Sequence, residues 1–83
     1  MDSYFKAIQD DLIDAIDGAA FLCAQDQLNG REDDHYSRVQ YGRLVGLVQA
    51  YHIMCGNEID HNRMNDFANI AINGQLALIE GVA

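Results

Sequence analysis

The chain has 83 residues, with 13 Asp and Glu against five Lys and Arg, for a net charge of −8. That length makes one domain with a modest core, leaving about 4,900 Å² exposed after folding and little room for a deep catalytic cleft. The charge opposes direct binding to nucleic acid or to an anionic membrane, and no run of about 18 apolar residues could span a bilayer.

No proline interrupts the chain, and glycine and asparagine supply the breaks instead. Asn29-Gly30, Gly56-Asn57 and Asn73-Gly74 mark the places where a helix can end, because both residue types tolerate the left-handed conformation. Three helical candidates result. The first eleven residues lack the basic and apolar regions of an export signal or the arginines of a transit peptide. A cytosolic location is therefore expected, in a bacterium or a host cell.

The first helix is expected from about Ser3 to Leu28, capped by Asp2 or Ser3. At 100° per residue, Phe5, Ile8, Leu12, Ala15, Ile16, Ala19, Leu22 and Cys23 share a face. Asp10, Asp11, Asp14 and Asp17 collect on the other side. Gly18 lies near that acidic side and marks a kink or a close backbone approach.

The second helix is expected from about Asp34 to Cys55, with Gly56 ending it. Tyr41, Leu44, Val45, Val48, Tyr51 and Cys55 form its main apolar face. Val39, Gly42, Gly46, Ala50 and Ile53 form another, so the helix reads as buried nearly all round. Gly42, Gly46 and Ala50 recur every four residues, a spacing that admits a close helix contact within the chain or across a dimer seam.

The third helix opens on a local signal. Asp60 can cap it, with Ile59 and Met64 placed as a hydrophobic staple. Met64, Phe67, Ala68, Ala71 and Leu78 share a side, widened by Ile72, Leu76 and Ile79. Asn62, Asn69 and Asn73 line its back, and Asn73-Gly74 is a candidate break. Short loops favour antiparallel neighbours, so the expected fold is an all-α, antiparallel three-helix bundle with the second helix in the middle. Open apolar flanks on the second and third helices predict self-association.

Chemistry is sparse. Cys23 and Cys55 are too few for a disulfide framework, and both fall on expected core faces as reduced thiols. His52, Cys55 and His61 supply one close pair where a structural zinc site wants two. His35 reads as an exposed residue near a helix start. No phosphate-binding loop or activated nucleophile is present, so neither a metal, a cofactor nor an enzymatic activity is expected.

Charge distribution carries more information. Asp10, Asp11, Asp14, Asp17, Asp26, Glu32, Asp33 and Asp34 are offset only by Arg31, which leaves −7 between residues 10 and 34. Asp10, Asp14 and Asp17 form a helical ridge that Phe21 extends with a large apolar side chain. Acids around an aromatic anchor suit a basic protein surface: charge steers the encounter and buried area holds it. Asp10, Asp11, Asp14, Asp17 and Phe21 are therefore the candidate partner-binding residues.

No motif ties the chain to a family. As a class, it is similar to small acidic helical inhibitors of host nucleic-acid machinery made by viruses and mobile elements, some of which imitate the phosphate backbone. The expected function is non-enzymatic: the domain occupies a basic, nucleic-acid-binding surface of a larger protein and inhibits or regulates it. The competing expectation is a small assembly subunit that acts through its own oligomerisation.

Overall fold

A computed structural model describes residues 2–31, 33–56 and 58–81, with the side chain of Asp2 excepted. Three α-helices, α1 (Asp2–Leu28), α2 (His35–Met54) and α3 (His61–Ile79), pack against one another. No strand occurs among the described residues. The all-α three-helix bundle expected from the sequence is the fold.

The helix ends follow the local chemistry. α1 closes with a Schellman motif: Gly30 sits at φ +70°, its N–H donates to the Gln27 carbonyl at 3.1 Å, and Arg31 N–H donates to Asp26 at 2.7 Å. Glycine suits that position because it has no Cβ to clash in the left-handed region. Gly56, at φ +77°, ends α2 in a similar way. The Asp60 carboxylate accepts from Arg63 N–H at 2.9 Å, so Asp60 does cap α3. α1 already begins at Asp2, so neither Asp2 nor Ser3 is its cap. Met1 lies outside the described residues, as do Glu32 and Asn57.

The loop after α1 is pinned by polar contacts. Ser37 Oγ lies 2.6 Å from the Arg31 carbonyl and 2.7 Å from Asp26 Oδ2, so its single proton is shared between two acceptors. The Arg31 guanidinium reaches Asp26 Oδ1 at 3.4 Å. At the other end of the pair, Gln9 Nε2 donates to Cys55 Sγ at 3.7 Å. These two ends fix α1 and α2 as antiparallel.

The core is built on small residues. Ala19, Ala20, Cys23 and Ala24 of α1 are buried, together with Leu44 and Val48 of α2 and Ala68 and Ile72 of α3. Short side chains at i and i+4 on α1 leave room for both neighbours to approach. α1 packs against α2 and α3 more extensively than they pack against each other, so the central helix is α1 and not α2. The expected placement of α2 rested on its apolar residues pointing in all directions. Its main face is indeed turned inward, yet Val39 and Ile53 on the second face are 54% and 65% exposed.

Within the chain the close approach expected at Gly42, Gly46 and Ala50 is absent at the two glycines, while Ala50 is half-buried. A Cβ added at Gly42 or Gly46 would meet nothing within 4 Å. Gly18 and Gly74 are equally open, and α1 and α3 run unbroken through them. In each case the helical hydrogen bonds on both sides outweigh the modest intrinsic cost of a glycine, about 1 kcal/mol.

Candidate functional site

The acidic side of α1 is a continuous surface. Asp10, Asp11, Asp14 and Asp17 are all exposed, and the unbroken helix aligns Asp10, Asp14, Asp17 and Phe21 along one edge. The buried Ala19 and Cys23 lie on the opposite face, while the buried Ala20 and Ala24 lie between that face and the ridge, which therefore borders the core near Phe21. Phe21 is 38% exposed, so more than half of its surface is already covered within the chain and the remainder faces solvent. Among the described residues the one ion pair is Arg31–Asp26, at the far end of the helix, so the ridge carboxylates are not neutralised by the chain's own cations. Lys6, one turn before Asp10, is the only cation on α1.

One ridge residue was missed. Leu28 lies 18 residues after Asp10, five full turns, and so returns to the same direction. It is 47% exposed and extends the apolar end of the ridge beyond Phe21. The angle can be read from the sequence, but Leu28 is the last residue of α1, where no further turn repeats the pattern. Ile13, 40% exposed, flanks the carboxylates on one side. The site is thus a convex edge, acidic in its first half and apolar in its second. Such an edge can enter a groove or lie on a flat basic surface, but it encloses no substrate.

A shallow cleft of about 400 Å³ lies between α1 and the start of α2, lined in part by Leu22, Asp26, Arg31, Tyr36 and Gln40. Gln40 Oε1 is buried there without a hydrogen-bond partner. The Asp26 carboxylate is already engaged by Arg31 and Ser37, which removes it from the ridge functionally as well as spatially.

The cysteines divide. Cys23 is buried, and burial, with the Asp26 carboxylate adding to it, raises its thiol above the ordinary range. Cys55 is exposed, contrary to its expected core position. It is the C-cap residue of α2, just past the last helical turn. Its sulfur accepts from Gln9 and lies beside Tyr51, whose hydroxyl pKa is raised first by a hydrogen bond to Cys55. His52 is tied into its own helix, with Nδ1 2.9 Å from the Val48 carbonyl and its ring 4.7 Å from that of Phe67. Among the described residues no three His, Cys, Asp or Glu side chains are grouped to hold a metal ion. His52, Cys55 and His61 are therefore not brought together as ligands.

No helix among the described residues is long and apolar enough to cross a membrane. No protein-family model, curated protein or solved structure matches the chain.

Proposed function

We propose that the domain is a non-enzymatic binding protein whose α1 ridge occupies a basic surface on a larger protein and thereby inhibits or regulates it. The observation that carries this reading is the combination on one exposed edge of unneutralised Asp10, Asp14 and Asp17 with the exposed Phe21. Carboxylates alone would be an ordinary solvated face. An aromatic ring placed in line with them supplies the buried area that holds a complex once charge has steered it together. A surface that normally binds nucleic acid has the matching charge, and an acidic ridge would compete with phosphates for it.

The domain would act in the cytosol, where such basic surfaces are reached. The reading is tested by capture on the immobilised full-length protein, comparing the wild type with Asp10→Lys/Asp14→Lys and with Phe21→Ala. Proteins retained by the wild type and lost from both variants, with nucleic-acid-binding proteins among them, are the expected result. A captured set unchanged by either variant would contradict it.

The exposed second face of α2 favours the alternative of a small assembly subunit, since Val39 and Ile53 are largely uncovered by the chain itself. In that case the chain's own oligomer would be the functional product, and mutation of the ridge would leave activity intact.

A further inference from the structure

Two of the breaks read in the sequence, Asn29-Gly30 and Asn73-Gly74, are also the chain's only asparagines followed by glycine. That dipeptide has a chemistry of its own. The glycine amide nitrogen, with no Cβ beside it, can attack the asparagine side-chain carbonyl carbon and expel ammonia, which closes a five-membered succinimide. Water then opens the ring at either carbonyl and leaves aspartate or isoaspartate. The chain's other asparagines precede Glu58, Arg63, Asp66 and Ile70, whose side chains shield the nitrogen.

The fold treats the two sites differently. Asn73 and Gly74 lie inside α3, which runs unbroken from His61 to Ile79. There the backbone nitrogen of Gly74 is held in the helical ladder, and a helical ψ keeps it from the ring-closing geometry. Releasing it means unwinding a turn that contains Ile72, which is 1% exposed in the core. Asn29 follows the last residue of α1, and Gln27, Leu28, Asn29 and Gly30 are all exposed. Main-chain bonds hold this end: Asn29 N–H donates to the Gln25 carbonyl at 3.0 Å and Gly30 N–H to the Gln27 carbonyl at 3.1 Å. A helix end with no buried side chain opens at far lower free energy than a turn packed in the core.

We propose that Asn29 is a site of spontaneous deamidation and that the fold protects Asn73 from the same reaction. The Gly30 nitrogen gives up its proton to base and bonds to Asn29 Cγ. The Cγ–Nδ2 bond breaks, the departing nitrogen takes a proton from water and leaves as ammonia, and a second water hydrolyses the ring. Either product changes the end of α1. Aspartate adds a negative charge at a helix C-terminus, where the macrodipole already opposes one, three residues after Asp26. Isoaspartate routes the main chain through the side-chain carbon and lengthens it by one methylene. The bond from Arg31 N–H to the Asp26 carbonyl at 2.7 Å then loses its register, and with it the Arg31 carbonyl that meets Ser37 Oγ at 2.6 Å. Ageing at Asn29 therefore loosens the loop that joins α1 to α2.

The test incubates the full-length protein with a thiol reductant at physiological temperature and mildly alkaline pH, which favours loss of the Gly30 amide proton. Peptide mapping by mass spectrometry follows the amide-to-acid mass change at each asparagine, and enzymatic methylation of isoaspartate identifies that product. In the folded protein Asn29 should react at least about tenfold faster than Asn73. In concentrated urea the two rates should converge, because only the fold separates them. Equal rates in the folded protein, or a faster reaction at Asn73, overturn the assignment, as does a tenfold gap that persists in urea. The modified protein, separated by its added charge, should melt below the fresh protein. Asn29→Gln carried through the same incubation should keep its melting temperature. A modified protein that melts as the fresh one does overturns the effect on the loop.

Discussion

At the scale of single residues, alanine matters more here than its size suggests. Ala20 and Ala24 are completely covered, so their methyl groups set how near the neighbouring helices can come. Ala20→Leu or Ala24→Leu should cost about 1–3 kcal/mol by overpacking, read as a lower midpoint in urea or thermal unfolding. An unchanged midpoint would mean that the interface is loose. The two thiols should separate just as clearly. Cys55 should react quickly with a thiol reagent at neutral pH, whereas Cys23 should react only as fast as the fold opens. The raised Cys23 pKa has a further consequence. Its contribution to stability is fully present below the ordinary thiol pKa of 9.0 and is lost as pH rises through the higher folded value, because the unfolded thiol ionises first. Stability measured in alkaline buffer should therefore fall, and Cys23→Ala should lessen that fall. These features were only partly legible. Cys23 was readable as a core residue from its place on the helical face, but alanine carries so little hydrophobic weight that Ala20 and Ala24 did not stand out beside Phe5 and Leu22, which are 48% and 38% exposed.

At the scale of elements, signals that act within a few residues were the readable ones. Asp60 caps α3 because its carboxylate needs only an N–H three residues on, and Gly30 ends α1 because the motif is completed within six residues. Spacing on α2 was less informative. Gly42, Gly46 and Ala50 state what could approach the helix, not whether anything does, and within the chain nothing approaches the glycines. Gly18 and Gly74 illustrate the same limit, since neither breaks its helix. Both have open space where a Cβ would go, so Gly18→Ala and Gly74→Ala should each stabilise by about 1 kcal/mol through helix propensity alone. For a domain of this size that raises the melting temperature by about 4–8 °C per substitution. Gly30→Ala should do the opposite, because its φ of +70° is a conformation that an L side chain resists. A Gly18→Ala protein that melted earlier would point to strain in α1 that the regular helix does not contain.

For the whole molecule, the proposed function rests on the relation between charge and uncovered surface. α1 is central to the packing and also carries the acidic ridge, so the surface proposed to meet a partner is held by the most extensively packed helix. Such a ridge is rigid before contact, which reduces the ordering cost of binding. α2 contributes an outer face without carboxylates, on which Val39 and Ile53 are exposed. The ridge was legible as a periodic charge pattern. That α2 turns its second face outward depends on which helix occupies the middle, and no local pattern encodes that.

The central claim is that the ridge binds through charge for encounter and through Phe21 for residence. Its most direct measurement is the association and dissociation rates of the captured partner with immobilised wild-type protein and variants, across a range of salt concentrations. Asp10→Lys/Asp14→Lys should slow association and flatten its salt dependence, with the melting temperature little altered. Phe21→Ala should leave association nearly unchanged and speed dissociation by about 30-fold, the size of an anchor worth about 2 kcal/mol. Rates indifferent to both substitutions would contradict the account.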